Sequence, residues 1–199
     1  MSGLSKLDVI GLLQEHGAIV NGHFQLPSGL HSQTYVQTAL VLQYPHLAQK
    51  VAKAMAGKFP QGVDVVMSPA MGAVVIGQEV ARVKKARAIF TERVGGAMAL
   101  RRDFQLARGN KILVVEDVLT TGRSTSEVVH LAHAYGGKVI GVAAIVDRST
   151  DALPLSVPVR TLISYPLQVF PPNNCPMCAQ QVPLSFPGTQ PPPAGIPRE

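Results

Sequence analysis

Three short runs, at 63–67, 112–115 and 139–146, are apolar at nearly every position, and segments of helical period separate them. A strand with one wet face alternates apolar and polar residues. A run without that alternation must be covered on both faces. Strands of this kind, joined by helices, build a parallel sheet with helices on either side. The expected fold is therefore α/β, with a central, mostly parallel sheet flanked by helices. The spacing predicts helices over 46–59, from the loop at 68–72 to about 85, and over 124–135. A further strand is expected at 88–91 and another around 98–100.

Ahead of this core, residues 5–16 read as a helix, with Ser5 and Asp8 at capping-box spacing and Gly17 as the stop. In AIVNGHFQL (18–26), Asn21-Gly22 reads as a hairpin-like turn between two extended stretches. SGLHSQTYVQTAL (28–40) continues as loop and strand, and His23 and His31 read as turn residues. A single domain follows: a small N-terminal appendage (1–40), an α/β core (60–165) and a tail (171–199) holding nine of the sixteen prolines. That tail is expected to wrap the surface or be disordered at its end. No uncharged apolar run approaches the roughly 18 residues of a membrane span, and Asp8 and Glu15 argue against a signal peptide. A cytoplasmic protein is expected, without membrane partners.

Eighteen basic residues against twelve acidic ones give a net charge of +6. Residues 82–111 alone carry nine cations against Glu92 and Asp103, so this segment is +7 and the rest is −1. A basic segment implies an anionic ligand, either a phosphorylated small molecule or nucleic acid. With no Trp and 5% aromatics, base-stacking platforms are disfavoured.

The chemistry concentrates in ILVVEDVLTTGRST (112–125). A buried strand delivers Glu116 and Asp117 to its C-terminal end, where ligands of open α/β sheets sit. Thr120, Thr121 and Gly122 lead into a helix whose first N–H groups and dipole suit a terminal phosphate. Ser124 and Glu127 stand at capping-box spacing there. Two carboxylates beside a phosphate make sense if that phosphate hangs on a sugar whose vicinal hydroxyls they accept. Dinucleotide and P-loop glycine patterns are absent from this stretch.

VVEDVLTTGRST resembles the phosphoribosyl-pyrophosphate (PRPP) signature of the type I phosphoribosyltransferases. The resemblance spans nearly the whole chain and narrows to the family that uses orotate. GHFQLPSGLHSQTYV is similar to that family's N-terminal hood, SPAMG (68–72) to its pyrophosphate loop, and TERVGGAMALRRDF (91–104) to its mobile catalytic loop. VDRS (146–149) resembles its second orotate-contacting segment, and the CPMC tail recurs in one branch. The resemblance implies transfer of ribose 5-phosphate from PRPP to N1 of orotate in pyrimidine (UMP) biosynthesis. It also implies Mg²⁺ held mainly by PRPP rather than by the protein, and a homodimer whose loop 93–110 covers the neighbouring site.

Carried over residue by residue, Glu116 and Asp117 would hold the ribose. Thr120, Thr121, Gly122, Arg123 and Ser124 would surround the 5′-phosphate, with Val118, Leu119, Met71, Gly72 and Arg93 also binding PRPP. Thr120, Arg148, Tyr35 and Val36 would meet orotate. Arg93, Arg101, Arg102 and Asp117 form the catalytic set. Many members have Lys where this chain has Pro27, and a Lys-x-His-Gly loop core where it has 94–102. Arg101 and Arg102 replace that core, and as permanent cations their role is electrostatic.

Against these stand plainer readings. Acid pairs at strand ends are often solvated, Lys84, Lys85 and Arg87 read as a solvated helix end, and Arg148 could pair with Asp151 at the surface. Cys175-Pro-Met-Cys178 has metal-like spacing but supplies half of a tetrahedral zinc set, with no histidine nearby in sequence. A structural thiol pair or a disulfide is expected, two pairs meeting across a dimer being the other route to a metal. The rival functions are a purine phosphoribosyltransferase and a PRPP-responsive, nucleic-acid-binding regulator. The basic residues surround a glycine-rich loop and form no helical stripe, so the enzyme, without nucleic acid as partner, is favoured.

Overall fold

The computed structural model describes residues 4–26, 28–60 and 62–187. Pro27 and the tail beyond 187 lie outside the described residues. The elements run α1 (Lys6–Glu15), β1 (Ile19–Gln25), β2 (His31–Val36), α2 (Ala39–Leu42), α3 (Pro45–Gly57), β3 (Val65–Pro69), α4 (Ala73–Lys84), β4 (Arg87–Val94) and β5 (Ala97–Leu100). They continue with β6 (Lys111–Leu119), α5 (Arg123–Ala134), β7 (Lys138–Asp147), β8 (Val159–Ser164), β9 (Val169–Phe170), a 3₁₀ turn at Pro172–Asn174 and α6 (Pro176–Ala179). No helix among the described residues is long and apolar enough to cross a membrane.

Six strands form the central sheet in the order β5-β4-β3-β6-β7-β8. All neighbours are parallel except β4 and β5, which form a hairpin. Along β6, Leu113 and Val115 enter one apolar cluster, with α1, α3 and α4. Ile112 and Val114 enter the other, beneath α5. Alternate side chains thus reach two covered faces, which is why the runs are apolar without a gap.

The basic segment has more strand than its sequence suggests. β4 extends through Val94, and Gly95 and Gly96, both at positive φ, close a two-residue hairpin to β5. That backbone matches strand twist and needs residues without a Cβ. Lys84 is not solvated: it is buried, and its ammonium donates to the carbonyls of Phe59 (2.8 Å) and Pro60 (3.0 Å) just past α3. Burial holds its pKa below the usual lysine value.

The appendage carries its own small sheet, ordered β1-β2-β9. Ser5 and Asp8 close the expected capping box on α1. Asn21-Gly22, however, is no hairpin turn. The strand runs through it with a register shift between Asn21 and Phe24, a bulge that uses the glycine without reversing the chain. The reversal falls at 26–30, where Gly29 N–H donates to Leu26 O. His23 and His31 are therefore buried strand residues and not turn residues. The described tail wraps this sheet: β9 pairs with β2, and Ser185 bridges Phe24 of β1.

Candidate active site

In chain order, β3 connects through α4 to β4 on one side, whereas β6 connects through α5 to β7 on the other. Loops leaving β3 and β6 therefore diverge, and a crevice opens between their carboxyl ends. A cleft of about 340 Å³ lies there, lined from the β3 side by Pro69, Ala70 and Gly72 and from the β6 side by residues 116–125. Every PRPP candidate of the β6 loop lines it. Leu119 does so with its side chain turned into the core, while Met71 is exposed at the rim.

Glu116 and Asp117 are neither solvated nor in a loop, since β6 continues through both. Consecutive strand residues point to opposite faces, and the two acids separate accordingly. Glu116 is buried under α5, where it accepts from Thr125 Oγ1 at 3.2 Å. Burial, and then the charge of Asp117, raise its pKa well above the usual carboxylate value. Asp117 is half-buried toward the appendage and accepts from Thr38 Oγ1 at 2.7 Å. A Cβ on Gly72 would lie 2.8 Å from Asp117 Oδ2, so only glycine lets the β3 loop come this close.

The start of α5 differs from the expected capping box. Gly122, left-handed at φ 71°, occupies the N-cap, and no side chain caps the helix. Ser124 and Glu127 are instead drawn to Arg93. The guanidinium donates to Ser124 Oγ (3.3 Å) and pairs with Glu127 (2.9 Å). A helix start without a side-chain cap leaves its first N–H groups for an anion. Arg93 is the loop arginine that the structure brings to this point. Arg102 turns away, held by two 2.9 Å bonds to Glu92, and Arg101 is exposed.

Arg148 follows β7, whose end is in register with β6 (Leu119 beside Asp147). It is 7% exposed, its Nε has no hydrogen-bond partner, and Asp151 bonds to Thr150 instead. Burial lowers its pKa. Tyr35 feels both neighbours: burial and Asp117 raise its pKa, while Arg148 opposes them. Tyr35, Asp117 and Arg148 thus share one neighbourhood. Val36, the next residue of β2, turns into the core, so its side chain packs and only its backbone is left to meet a ligand.

The parallel sheet thus opens a switch-point crevice lined by a strand-end acid pair, a hydroxyl-rich loop and a helix start without a side-chain cap. The phosphoribosyl transferase domain model matches residues 37–172, and the chain belongs to that family. Within it, orotate phosphoribosyltransferase from Desulforamulus reducens is 43% identical over 188 residues, covering 94% of this chain and 98% of its own. That of Caldicellulosiruptor bescii is also 43% identical over 188 residues, covering 94% and 99%. At that identity and coverage, the chain is a member of the orotate phosphoribosyltransferases. Among solved structures, orotate phosphoribosyltransferase from Aeropyrum pernix superposes with a TM-score of 0.68 at 20% identity, covering 78% of this chain and 93% of its own. Adenine phosphoribosyltransferase from Rhodothermus marinus gives 0.65 at 19% identity, covering 80% and 99%. Such likenesses show the fold alone, and that fold serves enzymes named for two different bases.

Proposed function

We propose that the chain transfers ribose 5-phosphate from PRPP to N1 of orotate, giving orotidine 5′-monophosphate and pyrophosphate. The observation that carries the choice of base is Arg148, a buried guanidinium with an unpartnered Nε beside Tyr35 and Asp117. A carboxylate-bearing pyrimidine supplies what a planar cation of this kind lacks. Adenine and hypoxanthine carry no carboxylate.

In this reading the 5′-phosphate meets the N–H groups of residues 122–124, and Asp117 accepts from the ribose hydroxyls. The diphosphate extends toward residues 70–72 and Arg93. Departure of pyrophosphate from C1 leaves an oxocarbenium-like sugar, so catalysis consists of positioning and charge neutralisation. Arg93 neutralises the leaving group without exchanging a proton, and Asp117 holds the ring while orotate N1 bonds to C1 and its proton passes to the departing pyrophosphate. The donors at this cleft, the Asp117 carboxylate and the Thr120 and Thr121 hydroxyls, are all oxygen and suit Mg²⁺ carried in on the diphosphate, which would supply further charge there.

The working form is a homodimer in which the loop after β5, residues 101–110, reaches the neighbouring cleft, while Arg93 and Met98 stay at their own. Mixing Arg101→Ala/Arg102→Ala chains with Asp117→Ala chains then restores part of the activity. No restoration despite demonstrated subunit exchange means that each loop serves its own chain. The test of the reaction is product formation from PRPP and Mg²⁺ with orotate, adenine and hypoxanthine in parallel. Orotidine 5′-monophosphate alone is expected, and a purine nucleotide would overturn the reading.

A further inference from the structure

Away from the cleft, four side chains from the two ends of the chain converge. His23 of β1, His31 of β2, and Cys175 and Cys178 around α6 place one nitrogen or sulfur each within 4.8 Å of all the others. His23 and Cys175 are 152 residues apart in sequence. The pairing of β9 with β2 and the bridge from Ser185 to Phe24 bring them together. His23, His31 and Cys175 are 3–4% exposed, Cys178 lies at the surface, and both cysteines stand as free thiols.

The separations can be compared with those a metal requires. Tetrahedral zinc, with Zn–S of about 2.3 Å and Zn–N of about 2.0–2.1 Å, sets its donors roughly 3.3–3.8 Å apart. Cys178 Sγ lies 3.4 Å from His31 Nδ1 and 3.7 Å from His23 Nε2, and Cys175 Sγ lies 3.6 Å from His23 Nε2. The two ring nitrogens, at 2.8 Å, need to part by about half an ångström.

The tautomer is also set. His23 Nδ1 is 2.8 Å from Val182 O, and a carbonyl only accepts, so Nδ1 carries the hydrogen. In the neutral ring, Nε2 then turns its lone pair inward, as the outer partner of a ligating histidine arranges. Without a metal the two rings share one 2.8 Å hydrogen bond, while the thiols, weak donors and weak acceptors, add little to it.

We propose that His23, His31, Cys175 and Cys178 form a closed Cys₂His₂ zinc site that fastens the C-terminal tail to the β1–β2 hairpin. Two thiolates with two imidazoles in a tetrahedral array suit Zn²⁺, and four protein ligands leave no position for substrate. The site is structural. Ligand spacing is Cys-x₂-Cys on one arm and His-x₇-His on the other, so neither arm alone reveals it. β2 runs from His31 through Tyr35 to Val36, and Thr38 just beyond it donates to Asp117. The metal therefore steadies the wall of the cleft without entering the chemistry.

Metal analysis of the full-length protein, purified under reducing conditions with zinc supplied, is expected to show about one equivalent of Zn²⁺ per chain. Cys175→Ser/Cys178→Ser loses it. Because that variant could fail to fold, the wild-type chain is also stripped with a chelator and titrated with Co²⁺ alone. About one equivalent is expected to bind, with the visible bands of a tetrahedral site and thiolate-to-cobalt charge transfer. Unfolding on stripping that zinc reverses would support the site equally. Folded, reduced wild-type protein that contains less than about a tenth of an equivalent and gives no thiolate–cobalt band would overturn the proposal. So would Co²⁺ uptake unchanged in the folded double variant.

Discussion

The cleft and the appendage solve opposite problems. At the cleft, ten consecutive residues, 116–125, supply one whole wall. The appendage is assembled from residues 19–36 and 169–185, the two ends of the described chain, joined by a two-residue strand and one bridge. The first region takes its geometry from a sheet buried on both faces and needs little else. The second has few apolar residues of its own in either core cluster: of its three strands, Val36 is a buried member of one and Ile19 packs against it. Small sheets of this kind need a staple. Asp117, which lines the cleft, thus sits on the rigid region, while Thr38, which donates to it, follows strand β2 of the region that needs fastening.

The sharpest way to break this contrast is Asp117→Ala. Losing a carboxylate that accepts from two sugar hydroxyls is expected to weaken PRPP binding on the order of a hundredfold or more, measured by calorimetric titration, with the melting temperature little changed. Unchanged affinity would detach the ribose from β6. Gly72→Ala comes next. Its Cβ would press on Asp117 Oδ2 from 2.8 Å, and the displaced carboxylate is expected to cost roughly tenfold in PRPP affinity. Wild-type affinity in a folded Gly72→Ala protein would show that the β3 loop is not tightly set against the acid.

The smallest effect concerns stability. Burial makes the folded protein hold the Glu116 proton to a higher pH than the unfolded chain, whose carboxyl titrates near the ordinary value of 4.5. The native state then binds more protons than the unfolded state, so this group contributes fully below that pH and its contribution is lost as pH rises through the folded value. Glu116→Gln cannot lose a proton. Its melting temperature is expected to exceed wild type increasingly as pH rises above the ordinary carboxyl value of 4.5, by about 2–4 °C for each kcal/mol recovered. Parallel pH curves for the two proteins would mean that Glu116 is ionised in the free enzyme.

How much of this was legible follows the same division. The apolar runs and the 116–125 segment were readable because strand, loop and helix are consecutive, and the covered faces leave no alternation to confuse the period. Glu116 and Asp117 stood out in the sequence and both line the cleft, but their opposite orientations follow from β6 continuing through Leu119, beyond the last apolar residue of the run. The expected Ser124–Glu127 cap failed because Arg93, 31 residues upstream of Ser124, competes for both side chains. The paired histidines and cysteines were least legible. CxxC signalled half a site, His23 and His31 looked like turn residues beside glycines, and only the β2–β9 pairing joins the halves. Lys84 was misjudged for a similar reason, since the carbonyls that bury it lie 24 and 25 residues earlier.

The central claim is that the switch-point cleft holds PRPP while Arg148, one strand over, selects orotate. Arg148→Ala tests both parts at once. Removing a charge-assisted contact is expected to lower kcat/KM for orotate about tenfold to a hundredfold, while PRPP affinity measured on the same folded preparation stays near wild type. An unchanged kcat/KM for orotate would remove Arg148 from the site, and an equal loss of PRPP affinity would show that it serves the sugar phosphate and not the base.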